Sequence, residues 1–413
     1  MQFSQVIGQQ DLKAQLSHMI QQNRLSHALL FLGKEGSGSL PMALAFAQYI
    51  TCEKNPLQAA RKKNAPVKNS LFVEEDSATQ EPTINQSTNN FADACGVCSA
   101  CAKAAKMIHP DIHYCYPVIP GKPGDKPIST DYIKEWRSFI NSNPYGNSFD
   151  WLQSINAENK QGNITSEECG DIIHKMSLKS FESAYKILII WMPEFLGKNG
   201  NKLLKLIEEP PPDTLFILVA ENDANVLPTI LSRTQLIKIP ILYPQDIQSA
   251  LEQRENIDTQ KAIQIAATAE GNYHEALQQL QHADDDWEVL LRGWLNAILK
   301  SGPVAQVKWI EEAAKLGREK QKQFLKYFTH LLEQAICLRI SPDGLSENTA
   351  HAYVDFAGRI NKICDVSQQE AIANELDKAA YYIERNANAK ILFHALTIRL
   401  YHIISNKSLI LIQ

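Results

Sequence analysis

Residues 27–50 read HALLFLGKEGSGSLPMALAFAQYI: an apolar run, a glycine-rich turn, then a helix-like pattern. The run ALLFLG is short and unbroken, as a strand covered on both faces requires. Pro41 suits a first helical turn, where no NH is needed, and the pattern predicts a helix from about Leu40 to Thr51. Strand, glycine loop and helix in that order are the setting of a phosphate-binding loop. Such a loop works by three devices. Glycines let backbone NH groups turn toward phosphate, a lysine places charge near the β- and γ-phosphates, and a following Ser or Thr ligates Mg²⁺. Gly33, Gly36 and Gly38 keep the first device. Ser39 and Leu40 stand where the lysine and the hydroxyl belong, and Lys34 is at the wrong end of the loop. The setting of an ATP site is kept and its chemistry is dropped.

The same loss recurs further along. YKILII at 185–190 reads as a buried strand, and the next residues are Trp191, Met192 and Pro193, with Glu194 the first acid. A hydrolysing site places Mg²⁺-binding acids at such a strand end, so ATP hydrolysis by this chain is not expected. TLFILVA at 214–220 is the next buried strand, KNGNKLLKLIEE before it reads as a helix stopped by Pro210, Pro211 and Pro212, and QLIKIPI follows the helical turn PTILSR. Apolar strands alternating with helices imply a parallel sheet covered on both sides. Beyond about Pro244 the patterns are helical only, with two short helices around Gly271 and long ones from Asp285. The expected organisation is an α/β domain over 1–243, a small helical lid over 244–284 and a helical collar over 285–413. Polar stretches at 53–92 and 117–163 read as insertions, the first a mobile one.

The chain has 413 residues, a net charge of −5 and 44% hydrophobic residues. It is too long for one ordinary core, and its overall field mildly repels phosphate, so any nucleic-acid contact needs a local basic patch. No apolar run of ~18 residues occurs, so no membrane span is expected. The first residues, MQFSQVIGQQ, carry neither a basic nor an apolar export signal, and a cytoplasmic protein is expected. Eight cysteines in such a chain point to thiols or metal ligands rather than disulfides. Cys95, Cys98 and Cys101 form CxxCxxC, and Cys52 ends the helix after the glycine loop. Four thiolates suit a closed structural Zn²⁺ site, with an Fe–S cluster the chemical alternative. Cys115, on a strand, and His109 compete with Cys52 for the fourth position. Cys169, Cys337 and Cys364 fall in helical apolar patterns and read as packed core thiols.

Together, VIGQQDLKAQLSHMI, RLSHALLFLG, the CxxCxxC with HPD downstream, NKLLKLIEEPPPDTLFILVAEN and LPTILSRTQ resemble the clamp-loader subunits of bacterial DNA polymerase III, an AAA+ family. The similarity is dense over 1–52, 93–115 and 164–240 and loose in the last third. The degenerate loop resembles the delta-prime kind rather than the hydrolysing gamma/tau kind. The resemblance implies zinc rather than Fe–S on Cys52, Cys95, Cys98 and Cys101. It implies a hetero-pentamer with delta and gamma/tau subunits, acting on a sliding clamp and primer-template DNA. It also implies that Arg233 enters a neighbour's ATP site, where an arginine supplied in trans is worth ~10³–10⁵ in rate. Thr234 departs from the family's cysteine after that arginine. The alternative for Arg233 is a helix cap or a surface ion pair. In hydrolysing relatives the lid carries an arginine that reaches the γ-phosphate; His274 stands there in GNYHEAL and, read as neutral at pH 7, leaves that sensing element lost. Two other functions compete: an active gamma/tau-like ATPase, and a zinc-dependent nucleic-acid-binding protein with a vestigial ATPase fold, for which KKNAPVK and KILFHALTIRL supply some positive charge.

Overall fold

The computed structural model describes residues 1–58, 92–120, 124–157, 160–281, 287–340, 358–384 and 387–406. Most of the insertion expected at 53–92, from 59 to 91, lies outside the described residues. The described chain forms two compact units, 1–281 and 282–413.

The first unit is built on five parallel strands, β1 (Ala28–Leu32), β2 (Ile112–Cys115), β3 (Lys186–Trp191), β4 (Thr214–Ala220) and β5 (Gln235–Lys238), in the order β2-β3-β4-β1-β5. Leu30 pairs with Leu218 and Leu236, and Ile190 with Leu218. Alternation along each strand feeds two cores. Leu29, Phe31, Ile187, Ile189, Leu215 and Ile217 enter one, while Leu30, Leu188, Ile190, Phe216 and Leu218 enter the other. Two covered faces explain why these strands carry no polar alternation. Edge strand β5 buries only Ile237.

Helices α1 (Gln10–Gln21), α2 (Ser39–Thr51) and α3 (Ser99–Ala105) precede β2. α4 (Ile133–Ser142) and α5 (Ser148–Ser154) lie within the stretch expected as an insertion at 117–163. That stretch is not an appendage, because it supplies much of the aromatic core. Trp136 stacks on Tyr116 at 4.1 Å and meets Trp151 edge-on at 5.2 Å and Trp191 at 5.2 Å. Trp151 also donates its indole NH to Pro117 O at 2.7 Å. Trp136 and Trp151 bury more apolar surface than the polar residues around them suggest.

α6 spans Ser166–Ser177, with Thr165 as its N-cap. The single helix expected over KNGNKLLKLIEE is instead a 3₁₀ segment, Pro193–Leu203, kinked at Gly197 (φ 47°), before the short α7 (Leu204–Glu208). Asn and Gly at 197–201 lower helix propensity there, and a side chain on Gly200 would press on Leu227 and Ile230. α8 (Pro228–Leu231) follows β4. Helices α9 (Pro244–Glu255), α10 (Thr259–Thr268) and α11 (Tyr273–Gln281) complete the unit as a lid. Their core of Leu242, Ile247, Leu251, Ala262, Ala266, Tyr273 and Ala276 also takes in Ile7 and Tyr145.

The second unit is helical among its described residues: α12 (Trp287–Asn296) with a π turn to Ser301, α13 (Gly302–Ala313), α14 (Arg318–Ile340), α15 (Val366–Glu384) and α16 (Ala389–Asn406). Trp294 and Trp309 stack at 4.6 Å in its core, against Phe324 and Phe393. Cys364 is buried there, but Cys337 is exposed on α14 and is not the core thiol that its pattern suggested. A long helix with a broad apolar stripe leaves residues at the stripe's edge in solvent.

Candidate nucleotide site, arginine corner and cysteine cluster

The glycine loop lies at the carboxyl ends of β1 and β4, where open parallel sheets bind ligands. Its backbone has the expected turns, with Gly36 at φ 69° and Gly38 at φ 92°. Gly38 caps α2, accepting the Met42 NH at 2.9 Å. The space that a phosphate needs is filled from within the chain. A void of about 30 Å³ remains, lined by the loop with Pro144, Tyr145, Trp191 and Glu221. That holds a water or two, whereas ligand pockets measure ~300–1,000 Å³.

Tyr145 is the main filler. Its ring lies against Gly38, where an added Cβ would come within 3.1 Å, and meets Tyr273 at 5.0 Å. Its hydroxyl accepts the Ile7 NH at 2.8 Å, and burial pushes its pKa up to about 12. Ser39, in the lysine's position, faces Ser37, with the two hydroxyls 3.1 Å apart. The lid closes from the other side. Tyr273 NH donates to Gly36 O at 3.2 Å, and a Cβ on Gly36 would overlap Asn272 Oδ1 at 1.8 Å. Glu194 is turned away from the loop: its buried carboxylate accepts the NH groups of Glu221 and Asn222 at 2.7 and 3.0 Å, and desolvation raises its pKa.

His274 corrects the sequence reading. It is neither neutral nor on the surface, with its side chain only 2% exposed. Nδ1 lies 2.9 Å from Glu35 Oε1 and Nε2 lies 2.7 Å from Asp150 Oδ2. A neutral imidazole has one donor and one acceptor, and ionised carboxylates only accept, so both contacts require the imidazolium. Burial opposes the charge, but the hydrogen bonds and fields of Asp150 and Glu35 prevail and raise the pKa to about 10. The sequence gives no sign of this, because Glu35, Asp150 and His274 are far apart in it and only the fold joins them.

Arg233 follows α8, in contact with α7. Its Nε donates to Glu208 Oε1 at 2.6 Å, a second guanidinium nitrogen pairs with the same oxygen, and Nη1 donates to Thr229 O at 2.8 Å. The side chains are 32% and 45% exposed. This is the surface ion pair weighed above, and exposed pairs of this kind contribute only ~0–1 kcal/mol.

Cys52, at the C-cap of α2, meets Cys95, Cys98 and Cys101, with all four sulfurs within 4.8 Å of one another. Three amide NH groups point at these sulfurs: Cys95 to Cys52, Cys98 to Cys95 and Cys101 to Cys98, each at 3.4 Å. Such NH–S contacts favour thiolates. The Cys101 hydrogen bond pulls Cys52 down to about 5 and in return pushes Cys101 up. A divalent ion would stabilise all four as thiolates. The geometry fits a tetrahedral metal ion. Cys115 lies elsewhere, buried in the second core with Cys169, its pKa well raised by desolvation. His109 accepts the Asp111 NH at 3.2 Å and faces Glu182, while Asp111 accepts the amides of Glu182 and Ser183 at 2.7 Å, so HPD fastens a turn.

A five-stranded parallel sheet with a glycine loop after β1 and a helical lid on that loop is an α/β unit built like a nucleotide-binding module. The family model described as "DNA polymerase III, delta subunit" matches residues 8–69 and 148–242. The chain is 24% identical over 236 residues to DNA polymerase III subunit delta' of Bacillus subtilis, covering 57% of this chain and 49% of that one. It is 24% identical over 338 residues to subunit tau of the same organism, covering 80% and 46%. It is also 24% identical over 250 residues to subunit gamma/tau of Mycobacterium tuberculosis, covering 60% and 30%. The chain thus spans half or less of the length of these relatives. The chain is therefore similar over much of its length to clamp-loader subunits of DNA polymerase III. No helix among the described residues is long and apolar enough to cross a membrane.

Proposed function

We propose that the chain is a non-hydrolysing, delta-prime-type subunit of the DNA polymerase III clamp loader, lending Arg233 to the ATP site of a neighbouring gamma/tau-type subunit. The observation that carries this reading is the glycine loop, which has Ser39 in place of lysine and space for little more than water. An arginine donor needs no nucleotide of its own. It needs a guanidinium near the surface that a partner's phosphate can win from its resting contact. The Glu208 pair is such a contact, because a developing phosphoryl charge in a dry interface outbids one half-exposed carboxylate. The ring of delta and gamma/tau subunits around it would act on the sliding clamp and primer-template DNA.

We further assign Zn²⁺ to Cys52, Cys95, Cys98 and Cys101. The ion would supply a structural crosslink between the end of α2 and the start of α3.

The test is reconstitution with the partner subunits. Arg233→Ala should assemble normally and lower the DNA-stimulated ATPase of the complex by about tenfold or more. Unchanged ATPase in an intact mutant complex would remove the donor role. ATP turnover by the isolated wild-type chain would instead favour a gamma/tau-like motor.

A further inference from the structure

We propose that His274, Glu35 and Asp150 form an internal latch that holds the lid closed on the glycine loop, so that closure needs no nucleotide. The three residues come from three elements: Glu35 from the loop, Asp150 from α5 and His274 from the first turn of α11. Each is itself held in place. Asp150 receives the Asn143 amide at 2.9 Å and sits in the capping box of Asn147. Glu35 precedes Gly36, whose carbonyl takes the Tyr273 NH. Asn272 accepts the Glu275 NH at 3.0 Å, which fixes the start of α11. The imidazolium therefore bridges two pieces of the α/β core to the lid through two charge-assisted hydrogen bonds, the one to Asp150 largely buried and the one to Glu35 partly exposed.

A phosphate bound at such a loop would be the anion between it and a cationic lid residue. Here the anions are side chains of the chain itself, and the cation is a histidine. The titratable groups that face the ring are Glu35 from the loop and Asp150 from α5, with the neutral Gln278 on its own helix. A histidine pKa raised from 6.5 to about 10 in the folded state gives stability that is complete below pH 6.5. That stability is lost as pH rises through about 10. The ring thus stays charged throughout the neutral range, while the stabilisation it gives declines from about pH 6.5 upward. The latch rests on the reading of the loop as chemically idle and not on Arg233, so its tests use the isolated full-length chain and leave the donor role untouched.

Two measurements decide it. In ¹³C-histidine-labelled protein, the resonance that disappears in His274→Gln should keep its imidazolium shift at pH 8. Ordinary histidines titrate near ~6.5. Should that variant not fold, the resonance most shifted by Glu35→Gln identifies the ring. A His274 signal that titrates at or below pH 7 would overturn the latch. Second, at pH 7 the folded His274→Gln protein should exchange amide hydrogens in residues 33–40 and in α11 roughly tenfold faster than wild type, with the sheet unchanged. Equal exchange in both segments would overturn it as well.

Discussion

One helix, α2, has a candidate site at each of its ends, and the two are filled differently. Its N-terminus, at Gly38, is where aligned backbone NH groups would take a phosphate, and there the chain has placed Tyr145 and the lid. Its C-terminus, at Cys52, keeps a complete set of soft ligands for a cation. The two ends differ in what their loss would cost. A nucleotide pocket contributes to chemistry but little to folding, so it can be emptied and then packed. A metal held by Cys52, Cys95, Cys98 and Cys101 would tie the end of α2 to the start of α3, so its loss would cost structure. Helix α3 has only seven residues and leans on the cysteines, while the loop end rests on aromatic packing.

The largest expected effect is therefore at the cysteine end. Cys98→Ser should release about one zinc per chain, measured by elemental analysis. It should destabilise the first unit by about 5 kcal/mol or more, part of the ~10–16 kcal/mol that zinc supplies in small structural sites. Metal-free wild-type protein with an unaltered melting curve would break the comparison at this end.

The loop end comes next. Tyr145→Ala removes a buried ring and orphans the Ile7 NH, which should cost ~3 kcal/mol in urea unfolding. Calorimetric titration with ATP should still show no binding, since the enlarged cavity lacks the lysine. Nucleotide binding by this variant would mean that packing alone, and not missing chemistry, closes the site.

Much of this was legible before the structure. β1, β3 and β4 are mostly apolar runs, because burial on both faces leaves a direct trace in composition. Ser39, Leu40 and the CxxCxxC are local and were read locally. Cys52 joins the triplet across roughly forty residues, at a closure cost that grows only slowly with loop length. What escaped the sequence depends on contacts between distant segments. Trp136 and Trp151 sit in a polar stretch that looked like an insertion, and only the sheet face they cover explains them. His274 looked neutral because an unperturbed imidazole is neutral at pH 7, and the carboxylates that charge it come from Glu35 and Asp150. Its charge is a property of the fold.

The smallest expected effect lies at Glu208, and it sharpens the contrast between a filled site and a lent residue. If the Arg233–Glu208 pair is only a resting place, Glu208→Gln should change the stability of the free chain by less than ~1 kcal/mol. In the assembled loader it should leave ATPase equal or slightly higher, because the guanidinium no longer has to leave a carboxylate. A neutral amide still holds Arg233 near its place but competes weakly for it. Should Glu208→Gln instead depress ATPase as far as Arg233→Ala does, the pair itself would be the working unit. The arginine would then act from where the carboxylate holds it, rather than by leaving it.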